Sequence, residues 1–529
     1  MFRSVRRFSA LLGYIQKKNK EESKRSNEKL KRILALLLTL TLIVGLVVAC
    51  ANEPEVTPVP EPEVVATPEP APEEDEEYDY EDDILEEELD DGTIIFTLTE
   101  EARDIVLEDF DYMVNAILEN SPWDSVLERT ALTALDVDFE TYVDFFRAFI
   151  EDMTPLPLTP LDEELFRAQF PIHEGDDARS MAANYLFALL TFEFAPPLFQ
   201  IGHLGPRTLD MYTAQLVGIL REPDMENNMS LQIMYDAFTH PSAVWFYGEL
   251  DEALIDNVDG GGLFDGFPNA TGNIQTEILV PDEVAFLRIN SFVANPEYDE
   301  LVTLPFLQEI QDYDHLIIDL RGNLGGLQAH FPITITQHLI GEPTEFGIFE
   351  FFSGGSKSYA VVNATLGVMQ QGSTTFDWQE FVHSEIMPAE DFIASHDLHE
   401  FNQDDLERLD YVFVSRAAML PSEDSVNFTG KVWLLVDGFS ASASVGVASF
   451  MISSGVGTVV GENTSHVLMS QHFYMALPNT GIIWRIDVGY QTDMLGNSIE
   501  ANGLAPQIRN FDGMDALETV LELIAQGEY

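Results

Sequence analysis

Three serines two residues apart, Ser440, Ser442 and Ser444, stand in the run KVWLLVDGFSASASVGVASF. The pattern reads as a strand, a turn of small residues and a helix. A hydroxyl at a helix N-terminus has unpaired N–H groups beside it, and small neighbours leave room for a second backbone. Such a turn could direct a nucleophile at a carbonyl; a serine-rich helix cap fits the pattern equally well. A second turn, Arg321-Gly322-Asn323-Leu324-Gly325-Gly326, follows the apolar run HLIIDL directly. Adjacent glycines expose amide N–H groups with no Cβ in the way. Those groups could hold a phosphate or a tetrahedral oxyanion. Neither the GxGxxG nor the GxxxxGK[ST] spacing of nucleotide loops is present.

Both turns need rigid elements behind them. From about residue 275, short apolar β-rich runs recur: VAFLRI (284–289), HLIIDL (315–320), KVWLLVD (431–437) and TVVGE (458–462). Helical patterns lie between them, so an α/β core with a buried sheet is expected. Upstream the texture is helical. Thr97 and Glu100 suggest a capping box, after which Val106, Phe110, Met113 and Ile117 share one helix face. Further helices are predicted over 140–153 and 177–194. The chain therefore divides into a helical subdomain (97–200), a connecting region read as part of the core (201–274), and the core itself (275–529). Residues 327–430 fit no element and are read as a lid or substrate-shaping insertion.

DLRGNLGG followed by LLVDGFSASAS and then GTVVGENTS is similar to the C-terminal processing, or tail-specific, serine peptidases and their tricorn-type relatives. The resemblance implies a crotonase/ClpP-like β/α catalytic core with an N-terminal helical subdomain. It implies Ser442 as nucleophile, with the amides of Ala443 and of Gly325 or Gly326 as the oxyanion hole. Two departures matter. No lysine occurs between 432 and 529, so the Ser–Lys dyad of the processing peptidases cannot form, and Val445 stands where a glutamate is usual. The tricorn-type branch instead implies a histidine from an earlier segment and a late glutamate. His203 in FQIGHLGPRT and Glu500 in GNSIEANGLAPQI, 58 residues after Ser442, occupy the matching places. His466, near the vacant lysine position, is the rival base. The implied activity is hydrolysis of peptide bonds through an acyl-enzyme, on peptides or unfolded proteins. The alternative is an inactive peptide- or lipid-binding lipoprotein on the same fold. No cofactor is expected: the H-x-x-H-E string at His396, His399 and Glu400 does not have the spacing of zinc helices. Residues 204–275 have the length of a peptide-binding PDZ module but lack its carboxylate-binding loop, so none is expected.

Composition bounds the partners. The 529 residues carry 91 Asp+Glu against 26 Lys+Arg, a formal net charge of −65. That excludes a nucleic-acid binder, which needs a basic footprint. The single cysteine excludes an internal disulfide and a thiolate metal cluster. It lies at Cys50, after a basic leader and an apolar run from Ile33 to Val48. Sixteen residues suit a signal-peptide core better than a bilayer span. The ending Val47-Val48-Ala49-Cys50 resembles a bacterial lipobox, which implies acylation of Cys50 and a membrane partner reached through that lipid. Residues 51–92, rich in Pro, Glu and Asp, cannot bury enough apolar surface to fold. They read as an acidic disordered tether holding the rest at the cell surface.

Overall fold

The structure is a computed structural model. It describes residues 86–88, 94–133, 137–158, 173, 177–199, 202–221, 228–249, 269–370, 378–396, 398, 400–467, 470–492 and 496–527. Cys50, the apolar run before it and most of the acidic tether lie outside the described residues. The fold is of the α/β class expected, a helical N-terminal part followed by a β/α core. No helix among the described residues is long and apolar enough to cross a membrane.

The N-terminal part begins with a small antiparallel sheet of β1 (Glu86–Glu88), β2 (Ile94–Phe96) and β3 (Leu156–Leu158). Helix α1 spans Glu100–Asn120. Its cap is Thr99 rather than Thr97: the Thr99 hydroxyl accepts from the Ala102 amide at 3.2 Å, and Glu100 and Glu101 then face the positive end of the helix dipole. Helix α2 (Phe139–Glu151) matches its predicted span within two residues. Helix α3 (Ala178–Leu189) ends in a wider turn over Leu190–Phe194 rather than running on as one α-helix. These helices close no core of their own. Val106, Phe110, Phe146 and Phe194 share one apolar cluster with β4 (Gly205–Pro206) neighbours such as Leu204, and with residues near the C-terminus such as Trp484.

The β/α core holds a six-stranded sheet in the order β16-β12-β11-β7-β6-β5. Its strands are β5 (Ile274–Val280), β6 (Val284–Ile289), β7 (His315–Asp319), β11 (Lys431–Val436), β12 (Thr458–Gly461) and β16 (Ile508–Arg509). Pairing is parallel except between β5 and β6. The predicted runs supply four of these strands because they are apolar on both faces, as a covered parallel sheet requires. Alternation sends Leu316, Ile318, Val432 and Leu434 to one face, under helix α4 (Ala443–Ser454). Ile317, Trp433 and Leu435 go to the other, under helix α5 (Ala516–Gln526). A second sheet, antiparallel in the order β15-β8-β10-β9, was not expected. It takes β8 (Thr344–Phe352), β9 (Gln379–Pro388) and β10 (Tyr411–Met419) from the stretch read as a lid, plus β15 (Gly489–Gln491). Phe351, Phe352, Val412 and Phe413 of that sheet join the apolar cluster of the N-terminal helices. A third sheet, β13-β14-β4, pairs the hairpin β13 (His472–Ala476) and β14 (Ile483–Asp487) with β4.

Candidate active site

The two turns singled out in the sequence lock together at the C-terminal ends of β7 and β11, where loops of a parallel sheet present ligand-binding groups. Asn323 is the fastener. Its Nδ2 donates to the Ile289 carbonyl at 3.1 Å, and its Oδ1 accepts from the Gly325 amide at 2.8 Å. Its own carbonyl accepts from the Ala441 amide and from the Ser444 hydroxyl, both at 3.0 Å. The Ser440 hydroxyl donates to the Leu320 carbonyl at 2.9 Å. Ser440 and Ser444 are thus fully buried and structural, which leaves Ser442 as the serine available for chemistry. Asp319 below them is buried between Arg288 and Arg321 at 3.2 and 2.8 Å. Arg321 also reaches Asp515, the cap of α5, at 2.9 Å.

Ser442 caps α4 with φ 53° and ψ −116°. Its amide donates to the Val467 carbonyl at 2.7 Å. The Ala443 amide, the next along, has no partner among the described residues and lies against Gly325, where a Cβ would come within 2.9 Å of it. Gly325 contributes its missing side chain, since its own amide is engaged by Asn323. Gly326 differs. The Phe292 amide donates to the Gly325 carbonyl and the Leu327 amide to the Phe292 carbonyl, at 3.0 and 2.9 Å. A residue between two such ladder bonds turns its own N–H to the opposite side, so the Gly326 amide faces away from Phe292, towards the open edge.

His203 comes from the loop before β4. Its Nε2 lies 3.4 Å from Ser442 Oγ, and its Nδ1 lies 3.5 Å from Asp487 Oδ2, lengths usual for an unliganded site. The His203 amide also donates to Asp487 Oδ2 at 2.9 Å. Asp487 is fully buried at the end of β14, with Arg485 Nε 2.5 Å from its Oδ1. Burial alone would raise this carboxyl, yet the Arg485 charge and His203 hold it well below the usual carboxylate range. The histidine loop is fixed from behind. Gly202 sits on Trp123, whose ring a Cβ would strike at 2.1 Å, and Trp123 Nε1 donates to the Gly489 carbonyl at 2.9 Å. Arg207, itself buried, donates from Nη2 to the His203 carbonyl at 3.0 Å.

The remaining predicted residues fall as follows. Glu500 does not reach His203. Its Oε1 accepts from the Gln491 amide at 2.9 Å and its Oε2 from the Ser498 hydroxyl at 3.2 Å, and burial pushes it up to about 8. The carboxylate at the histidine is Asp487 instead. His466 turns Nδ1 to the Glu500 carbonyl at 3.1 Å, on the loop that hydrogen-bonds alongside Ser440 and Ser442. Val445 is buried in the core. His396 faces the Phe392 carbonyl of its own helix, and His399 lies outside the described residues. No group of three or more His, Cys, Asp or Glu among the described residues is placed to hold a metal ion. Asp487 was missed, although IIWRIDV carries a signal: Arg485 and Asp487, two apart, share one face of an otherwise apolar strand.

A nucleophile at a strand–helix turn, an imidazole within reach, a buried carboxylate behind it and unpaired amides beside it define a serine hydrolase site on an α/β fold. Residues 283–510 match the model of peptidase family S41. That match, over less than half of the 529 residues, supports a serine-type peptidase. No curated protein matches the sequence. Among solved structures, the chain is similar to a putative peptidase from Parabacteroides merdae, with 14% identity over 80% of this chain and 96% of that one, at a TM-score of 0.38. It is similar to mature CPAF complexed with lactacystin, with 10% identity over 81% and 98% of the two chains, at a TM-score of 0.40. A photosystem II D1 C-terminal processing protease shows 13% identity over 47% of this chain and 52% of its own, at a TM-score of 0.28.

Proposed function

We propose that the chain hydrolyses peptide bonds with Ser442, His203 and Asp487 as its catalytic relay. The reading is carried by one observation, the sequence of short approaches from Ser442 Oγ through His203 to Asp487. A free serine hydroxyl is a weak nucleophile and needs a base. His203 Nε2 takes the Ser442 proton as Oγ bonds to the scissile carbonyl carbon. Asp487 holds the imidazole by Nδ1 and offsets its positive charge. The amides of Ala443 and Gly326 receive the oxyanion, each such donor typically lowering the barrier by about 3 kcal/mol. His203 then protonates the leaving amine, and water activated by the same imidazole releases the acyl group. Glu500 buttresses the loop that carries His466 rather than orienting the base.

The substrate class is peptide or unfolded protein. The chain is held at the cell surface of a bacterium by a lipid on Cys50, with residues 51–92 as tether. The lipobox resemblance supports this part of the reading.

A serine-reactive fluorophosphonate applied to the full chain tests the relay. Wild type is labelled and Ser442→Ala is not, and His203→Ala labels at least about 100-fold more slowly. Labelling that persists in Ser442→Ala would remove the nucleophile assignment. For the anchor, Cys50→Ala moves the protein from the membrane to the soluble fraction.

A further inference from the structure

Away from Ser442, at the turn joining β13 and β14, lies a cavity of about 390 Å³. It is lined by Ile105, Arg179, His240, Pro241, Ser242, Pro478 and Asn479. With β14 at about 3.4 Å per residue, it stands roughly 15–20 Å from Asp487.

The Ser242 hydroxyl in this cavity donates to the Leu477 carbonyl at 2.9 Å, and the unengaged donors are those of Arg179. Arg179 is held in place: Nε donates to the Asn479 carbonyl at 2.8 Å, and the guanidinium lies 3.6 Å over the Trp245 ring. Its two Nη groups have no partner among the described residues. His240 is tied to Ser242, with Nδ1 2.7 Å from its hydroxyl and 3.3 Å from its amide nitrogen. The neighbouring acids do not occupy the Arg179 donors. Asp109 is engaged by the amides and side chains of Asn479 and Thr480. Asp177 is engaged by the amides of Arg179 and Ser180 and the Ser180 hydroxyl. In a chain with a formal charge of −65, an immobilised guanidinium whose fork meets no carboxylate among the described residues is suited to an anionic group. Its planar fork matches a carboxylate in two parallel bonds. Ile105, Pro241 and Pro478 offer an apolar wall to what is attached to that carboxylate.

We infer that this cavity binds a peptide carboxylate through the Arg179 Nη groups. The carboxylate comes from a chain terminus or from an acidic side chain flanked by apolar residues. That the bound peptide is also a substrate of Ser442 rests on the function proposed above; that the cavity binds a carboxylate does not.

Binding is therefore measured on the full chain carrying Ser442→Ala, where no turnover occurs. Three labelled peptides of about eight residues are used: one apolar with a free C-terminus, its C-terminal amide, and the amide with one internal glutamate. The free acid binds, and Arg179→Met weakens it at least tenfold. Arg179→Lys, which keeps the charge but removes the planar fork, weakens it several-fold. Binding by the free acid alone identifies a chain terminus as ligand; binding also by the glutamate amide identifies any peptide carboxylate. Equal binding of all three peptides, or affinity unchanged in both variants, overturns the inference. Should Arg179→Met fail to fold, Arg179→Lys decides. Cleavage of a short uncharged peptide by Arg179→Met in the Ser442 background remains as in wild type, which separates loss of this site from loss of the catalytic relay.

Discussion

Ser442 holds a backbone conformation, φ 53° and ψ −116°, that residues with a Cβ adopt at a cost of about 1–3 kcal/mol. The strain aims Oγ at His203 and leaves the Ala443 amide unpaired, so the same distortion supplies the nucleophile and one oxyanion donor. Ser442→Gly should therefore abolish activity yet raise stability by about 1 kcal/mol, read as an upward shift of the melting temperature. A melting point below that of wild type would mean the hydroxyl stabilises the fold. Asp487 tests the other end of the relay. Asp487→Asn keeps the shape but cannot hold the same imidazole tautomer, so kcat should fall by about 10³–10⁴ with KM little changed. Glu500→Gln should leave kcat within a fewfold of wild type, because its oxygens face Gln491 and Ser498. Ser442 was legible through the likeness of its SASAS run to a known peptidase motif, since the pattern alone fits a serine-rich helix cap equally well. Asp487 was not, because only the pairing of β14 with β4 brings it to His203.

The parallel strands were legible as continuous apolar runs, and β6, β7, β11 and β12 begin and end close to where the sequence places them. The antiparallel sheet was not. β9 has no fully buried residue, and its half-buried positions do not alternate regularly with exposed ones, so it shows no clean apolar run, and the β8 pairing with β15 joins residues more than a hundred apart. Thr97 misled because a capping box was read two residues early; the helix starts where the Thr99 hydroxyl can meet the Ala102 amide. Elements far apart in the chain fix the base. Gly202 is pressed on Trp123, and Trp123 in turn holds the Gly489 carbonyl next to Asp487. Gly202→Ala should push the His203 loop off the relay and lower kcat/KM at least tenfold. Trp123→Leu, by making room, should restore part of that loss in the double variant. Strictly additive effects in this cycle would show that the two residues are uncoupled.

At the scale of the molecule, one apolar cluster joins the N-terminal helices to the C-terminal hairpin and to the antiparallel sheet, and buried acids sit at that junction. Burial pushes Glu350 up to about 8, as it does Glu500, and burial pushes His472 down to about 3. The two acids bind protons more tightly folded than unfolded. Their contribution to stability is complete below an ordinary carboxyl value of about 4.5 and is lost as the pH rises towards 8. His472 works in the other direction: its contribution is present above about 6.5 and is lost as the pH falls towards 3. Glu350→Gln should accordingly raise the melting temperature at pH 8.5, by about 2–4 °C for each kcal/mol recovered, and give no gain at pH 4.5. An equal gain at both pH values would show that ionisation is not the cause. The helical front and β/α core were legible as textures, but their shared interior was not, since it forms between segments separated by more than three hundred residues.

That interleaving acts as an interlock. The hydroxyl and its amide cradle are furnished by one sheet, while the imidazole arrives on a loop anchored by Trp123 and by a carboxylate near the end of the chain. Neither part alone holds the serine together with its base, so the relay is complete only where the front and the sheet are joined.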